Sequence, residues 1–173
     1  MQTNSKKAEQ VGPPAASRLS RSYGNADFVD AFSVDLPATA SNDAESLARY
    51  IFAGQPQWIA MLLGIRDIAV WPFGLKRAVD LKRAKGDRLS IFRVFERHED
   101  EIILGEDDTH LDFRVSVLVQ PASEGRPQRL IVTTLVFYNR LLGRAYLGFI
   151  APFHRLVVRA SLDRAGKLGW PGG

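Results

Sequence analysis

Cysteine is absent from this 173-residue sequence, and its absence excludes several kinds of site. A chain without thiols has no disulfide framework, no thiolate-bound zinc or iron–sulfur cluster, and no cysteine nucleophile. Histidine is scarce as well, occurring only as His98, His110 and His154. No serine lies in a Gly-x-Ser-x-Gly elbow and no Gly-x-Gly-x-x-Gly loop is present, so neither a hydrolase triad nor a dinucleotide site is predicted. We therefore assign no catalytic residue and no cofactor from the sequence.

Long apolar runs are missing too. The longest candidates extend from Trp58 to Trp71 and from Ala145 to Val158, and charged or imidazole side chains interrupt both. A membrane-spanning helix needs about 20 predominantly apolar residues, so no transmembrane segment is predicted. The first residues lack the apolar core of a secretory signal peptide, and we expect a cytoplasmic protein.

A modest net charge of +4 hides strong segregation of charge along the chain. Seven basic residues and two acids lie from Leu75 to Arg93, eight acids and one arginine from Glu96 to Asp112, and six basic residues and one acid from Arg140 to Lys167. Platforms for single-stranded nucleic acid interleave exposed aromatic residues with basic ones, and these blocks do not. Nucleic-acid binding is therefore not favoured, and we expect the blocks to pair with one another or to face solvent.

The first part of the chain predicts a polar arm followed by a strand and two helices. Residues 1–25 contain almost no large apolar side chain, which predicts a disordered arm because little surface is available to offset the entropy of ordering. A single domain is expected over residues 26–166, followed by a frayed tail at residues 167–173. The domain begins with a strand built on Phe28, Phe32, Val34 and Leu36, a helix capped near Ser41 and ending at Phe52, and a helix from Pro56 to Val70.

The second half predicts a β-meander and a closing helix. Four segments rich in Val, Ile, Phe and Thr are separated by short turns, namely Leu89–Phe95, Glu101–Gly105, Thr109–Val119 and Leu130–Tyr138. Turns this short require antiparallel pairing. After Gly143 apolar residues recur at helical spacing, and Pro152 is expected to kink this helix or to separate its first turns. The predicted fold class is α+β, with a curved antiparallel sheet packed on a long C-terminal helix.

The most specific part of the sequence is Leu104–Val117, which reads LGEDDTHLDFRVSV, followed later by Pro152-Phe153-His154-Arg155. Together with the segment from Trp71 to Leu75, these residues resemble DUF2867, a family of uncharacterised bacterial proteins. The resemblance extends over about Asp27 to Asp163. It implies the helix-grip fold of the START and Bet v 1-like (SRPBCC) group, with two short helices after the first strand, and it implies no particular activity.

Alternation along Thr109–Val119 assigns side chains to the two faces of the sheet. The apolar set is expected to face the closing helix and comprises Leu111, Phe113, Val115, Val117 and Val119. The polar set comprises His110, Asp112, Arg114 and Ser116. It either forms an exposed ladder or lines the mouth of a cavity, where a carboxylate beside an imidazole could orient a ligand.

Seven residues are candidates for ligand binding: Trp58, Phe73, Asp108, His110, Asp112, Arg114 and His154. Each has a structural alternative. The aromatic residues fit a core, and a helix-edge histidine is commonly satisfied by a backbone or acidic partner. The acids from Glu106 to Asp112 match no metal-binding pattern, so no metal is assigned, and arginines from other elements could relieve their repulsion.

We expect an apolar or amphipathic small molecule to bind between the sheet and the closing helix, because a bent sheet around a helix can leave a gap. Two other functions remain open. One is an enzyme that performs acid–base chemistry with His110, Asp112 and Arg114. The other is an interaction or dimerisation module that uses the polar sheet face or the basic helix surface. The oligomeric state does not follow from the sequence.

Overall fold

The computed structural model describes residues 7–53, 86–108 and 111–172, and they form an α+β fold. The helices are α1 (Ala44–Phe52) and α2 (Leu141–Leu168), and a 3-10 segment spans Arg18–Asn25. The strands are β1 (Glu9–Val11), β2 (Phe28–Asp35), β3 (Arg88–Leu89), β4 (Phe92–Arg97), β5 (Glu101–Asp107), β6 (Leu111–Gln120) and β7 (Arg129–Tyr138). The helix predicted from Pro56 to Val70 lies outside the described residues.

All described strands belong to one curved antiparallel sheet with the order β1-β2-β7-β6-β5-β4-β3. Strands β3 to β7 are neighbours in chain order, which confirms the predicted meander. β2 completes the sheet beside β7, where Phe28 lies opposite Val136 and Asp30 opposite Thr134. The pairing of β4 with β5 shifts register between Val94 and Glu96.

One face of the sheet packs against α1 and α2 and holds the main core. Its residues on β6 include Val115, Val117 and Val119, as alternation predicts. They pack with apolar residues of the other strands and of both helices, among them Phe32, Val34, Leu47, Ile51, Ile102, Leu104, Leu130, Val132, Leu162 and Ala165. Full burial of one such leucine or isoleucine contributes roughly 1.5–3 kcal/mol, so this face supplies most of the driving force for folding.

The N-terminal residues 7–25, which the sequence predicted as a disordered arm, cover the other face of the sheet. β1 pairs with β2, with Gln10 opposite Phe32. Residues 12–25, which we call the N-terminal strap, place the Ser17 hydroxyl against Ser116 and Glu101. Ser116 is buried there and is not part of an exposed ladder. The prediction counted apolar side chains only, whereas hydrogen bonds to buried polar groups hold the strap.

α1 begins at Ala44 and has a well-defined N-terminal cap. The Asp43 carboxylate accepts a hydrogen bond from the Ser46 backbone N–H at 2.9 Å. Ser41, the capping residue suggested by the sequence, instead accepts from the Asp43 backbone N–H at 3.1 Å. The acids expected in the first turn thus act at the positive end of the helix.

α2 is a single helix that contains Pro152, so its first turns do not form a separate element. The residues that follow it, which the sequence predicted as a frayed tail, contact α1. Gly169 turns the chain with a φ of 88°. Trp170 then packs against Tyr50, with ring centroids 6.3 Å apart, and the Tyr50 hydroxyl donates to the Gly169 carbonyl at 2.7 Å. Within the described ranges no helix is long and apolar enough to cross a membrane.

Candidate functional site

Arginines neutralise the acidic end of β5, next to the turn that leads to β6. Glu106 pairs with Arg88 at 2.6 Å, and both side chains are largely buried. Asp107 pairs with Arg114 at 2.7 Å. Pairing of these acids with arginines is the alternative to metal binding that the sequence suggested. Among the described residues, no three histidine or acidic side chains gather into a metal site.

The polar candidates beside this turn make structural contacts. The Asp112 carboxylate accepts from the Asp108 backbone N–H at 3.0 Å, and the Asn139 side-chain amide donates to the Asp108 carbonyl at 2.8 Å. The Arg114 guanidinium carbon lies 3.7 Å from the centre of the Phe95 ring, a cation–π contact. Asp108, Asp112 and Arg114 therefore stabilise the hairpin end of the sheet.

A buried carboxylate lies on the helix-facing side of β2, beneath α2. The Asp30 side chain is 2% exposed. Neither of its oxygens accepts a hydrogen bond from any residue in the described part of the chain. Two nitrogen atoms lie within 4 Å of these oxygens: His154 Nε2, at 3.4 Å from Oδ1, and Arg155 Nε, at 3.7 Å from Oδ2. A charge-assisted N–H···O hydrogen bond is about 2.7–2.9 Å long, so neither of these two contacts is a hydrogen bond of this kind.

His154 and Arg155 reach Asp30 from the sheet-facing edge of α2. The His154 ring meets Phe28 edge-on, with centroids 6.3 Å apart and planes at 79°. The Arg155 guanidinium carbon lies 5.6 Å from the same ring centre. Their side chains are 24% and 47% exposed, so both retain contact with water. His154 thus has an acidic neighbour, which was one of the two alternatives for this residue.

Half-buried aromatic side chains extend from Asp30 across the same face. The rings of Phe52 and Phe92 are 5.1 Å apart and those of Phe92 and Phe113 are 5.9 Å apart. Phe113 and Phe28 both pack against Val136 and its neighbours. We call Phe28, Phe52, Phe92 and Phe113 the aromatic row. Each of the four is only partly buried, so the row still presents apolar surface beside the Asp30 carboxylate.

A second buried carboxylate, on the opposite face, has a complete set of hydrogen bonds. Glu101 is fully buried and accepts from the hydroxyls of Ser17 and Ser116 at 2.6 and 2.5 Å. It also accepts from the Arg18 backbone N–H at 2.9 Å and from the Arg18 guanidinium at 3.1 Å. The hydrogen bond from Arg18 to Glu101 is the main reason why the pKa of Arg18 is raised. This carboxylate anchors the strap through hydrogen bonds, whereas Asp30 has only the two longer contacts to α2.

His154, one of the candidates predicted from the sequence, lies at this site. It lies beside Asp30, which was not among those candidates. A signal for Asp30 existed. It lies two residues from both Phe28 and Phe32, so strand alternation puts a charge on an otherwise apolar face. Three other candidates lie outside the described residues, namely Trp58, Phe73 and His110. Two open surface depressions of about 250 and 430 Å³ are lined by other described residues and include neither Asp30 nor His154.

A family model described as a protein of unknown function, DUF2867, matches residues 22–161. The chain belongs to the DUF2867 family. Asp30, His154 and the aromatic row lie within the part that matches DUF2867, whereas β1 and the first residues of the strap precede it. No curated protein and no solved structure matches the chain significantly.

Proposed function

We propose that this DUF2867 protein binds an apolar or amphipathic small molecule between the sheet and α2, in a helix-grip arrangement of the START and Bet v 1-like kind. The observation that carries the proposal is the Asp30 carboxylate, which is 2% exposed and accepts no hydrogen bond from the described residues. Buried polar atoms in folded proteins are nearly always paired, and an unpaired one calls for a functional reason.

A purely structural ion pair explains Asp30 poorly. An unsatisfied buried acceptor costs about 1–3 kcal/mol, and more when it is charged. The contacts at 3.4 and 3.7 Å are too long to recover that cost through hydrogen bonds. A ligand group that donates to Asp30 would recover it on binding.

The surroundings of Asp30 support an apolar ligand. The aromatic row lies on the same face, and its half-buried rings offer surface that a ligand could cover. Ligand sites are mostly apolar, with a few polar groups that fix orientation. An aromatic surface next to one buried carboxylate has this composition.

The other two functions receive less support from the geometry. Asp112 and Arg114, two of the proposed acid–base residues, are engaged in the β5–β6 turn. The polar sheet face proposed for dimerisation is covered by the N-terminal strap around Ser116. An acid–base reaction on this protein would more naturally use Asp30 with His154.

Native mass spectrometry tests the proposal. Protein purified without denaturation should carry a small molecule whose added mass disappears after unfolding. Asp30→Asn should lose this mass, whereas Asp35→Asn should keep it, because Asp35 lies on the same strand but faces away from α2 and pairs with Arg129. Equal ligand occupancy in Asp30→Asn and the wild type would refute the role of Asp30, and an empty wild-type protein would argue against bound ligand altogether.

A further inference from the structure

We propose that the polar end of the ligand is a protonated amine, or a similar cationic hydrogen-bond donor, held by the Asp30 carboxylate. This inference rests on the proposed function and names the chemical class of its ligand. Both Asp30 oxygens are buried and accept no hydrogen bond from the described residues, and their contacts with His154 and Arg155 are 3.4 and 3.7 Å long. Carboxylate oxygens accept hydrogen bonds, so the missing partner is a donor.

The charge of the site favours a cationic donor over a neutral one. A neutral donor would supply hydrogen bonds to the Asp30 oxygens but would leave the buried negative charge uncompensated. The neighbouring side chains compensate it only partly, because His154 and Arg155 make no hydrogen bond to Asp30 and remain partly in water. An ammonium group could donate hydrogen bonds to both oxygens and would also place an opposite charge next to the carboxylate, which a neutral donor does not.

The aromatic ring beside Asp30 suits the same group. Phe28 is two residues from Asp30 on the same face of β2, and its ring already attracts the Arg155 guanidinium at 5.6 Å. The face of a phenylalanine ring attracts a cation, and more strongly where the cation is desolvated. An ammonium at Asp30 would therefore compete with Arg155 for this ring.

The spacing of the strands sets the length of the apolar part. Asp30 is on β2 and Phe113 is on β6, two strands away in the sheet. Neighbouring strands are about 4.8 Å apart, so the first rings of the aromatic row extend roughly 10 Å from the carboxylate. An amine with an apolar tail of that length would cover Phe28 and reach Phe113.

An anionic ligand is the competing possibility, because Arg155 and His154 could bind a carboxylate. That arrangement would bring a second negative charge next to Asp30, which already lacks hydrogen bonds. It would leave the buried oxygens unsatisfied and add repulsion. The geometry therefore favours the cation.

Three probes with the same tail and different heads test the inference: decylamine, decanol and decanoate, titrated below their micelle-forming concentrations and followed by calorimetry. The wild type should bind decylamine at least tenfold more tightly than the other two, the factor expected for one hydrogen bond between charged groups. Asp30→Asn should abolish this preference. Arg155→Gln should strengthen decylamine binding several-fold, because it removes a like charge 3.7 Å from the same carboxylate. Asp35→Asn should behave as the wild type.

The outcomes separate the inference from the proposed function. Equal binding of all three probes, unchanged by Asp30→Asn, would overturn the cationic head group while leaving apolar binding intact. A preference for decanoate that Arg155→Gln removes would overturn it in favour of an anionic ligand. Binding of none of the probes by any variant would overturn the inference together with the proposed function.

Discussion

At the scale of single residues, two carboxylates are buried on opposite faces of one sheet and differ in their hydrogen bonding. Glu101 accepts four hydrogen bonds, from Ser17, Arg18 and Ser116. Asp30 accepts none from the described residues. Since the cost of burying a charge is recovered only by good pairing, Glu101 should stabilise the fold and Asp30 should destabilise it.

A paired substitution tests this difference. Asp30→Asn should leave the free energy of unfolding unchanged or raise it by about 1 kcal/mol, because it removes a poorly paired charge while His154 and Arg155 can be solvated. Glu101→Gln removes a charge of the same sign from the same sheet and should lower the free energy of unfolding by about 2 kcal/mol or more. Urea unfolding followed by circular dichroism measures both. A loss of stability in Asp30→Asn as large as that in Glu101→Gln would show that Asp30 is structural.

At the scale of elements, the N-terminal strap is held by few contacts of long sequence separation. The Ser17 hydroxyl reaches Glu101 across 84 positions. Arg18 adds a salt bridge to Asp100 at 3.0 Å, and the Tyr23 hydroxyl donates to the Pro14 carbonyl at 3.0 Å, which closes the strap on itself. The pKa of Tyr23 is raised chiefly by burial, in agreement with a strap that lies on the sheet.

Truncation distinguishes an ordered strap from a disordered arm. A chain that begins at Asp27 loses β1 and every strap contact to Glu101, which leaves a buried carboxylate unpaired. We expect its free energy of unfolding to fall by about 3 kcal/mol or more. A chain lacking only residues 1–6 keeps all of these contacts and is the control. Equal stability of the two truncated chains would restore the prediction of a disordered arm.

At the scale of the whole molecule, opposite charge blocks pair across the fold as the sequence predicted. Arg88 of the basic block pairs with Glu106 of the acidic block. Arg97 of β4 pairs with Asp87, which precedes β3, and with Glu45 of α1. Hydrogen bonds from Arg97 are the main reason why the pKa values of Glu45 and Asp87 are lowered.

These lowered pKa values predict how stability depends on pH. A carboxyl whose pKa is lower in the folded state contributes its full stabilisation above its unfolded pKa, here about 4.5 for Glu45 and about 3.8 for Asp87, and loses it as the pH falls through the folded value. Arg97→Gln should therefore lower the urea midpoint near neutral pH, and the difference from the wild type should shrink as the pH falls below about 3.8. Arg126→Gln, in the exposed turn after β6, is the control and should show no such dependence. A constant difference at all pH values would contradict this explanation.

The sequence predicted the parts of the fold that depend on local pattern. Val115 and Val117 alternate with Ser116 as a strand requires, and short turns leave antiparallel pairing as the only choice, so the meander and the helix-facing side of β6 were predictable. The candidate site was predicted only in part. His154 was selected as a helix-edge residue, but Asp30, 124 positions earlier in the chain, was not.

The sequence by itself determined the α+β class, the meander and the closing helix, because hydrophobic period, turns and caps act over a few residues. Only the tertiary structure decided that residues 12–25 are ordered, since their order depends on Glu101, and that Asp30 meets α2 beneath His154. A charged residue on an apolar strand face has no fixed environment until another element covers it. Whether Asp30 is paired therefore depends on where α2 crosses the sheet, and no local pattern in the sequence encodes that position.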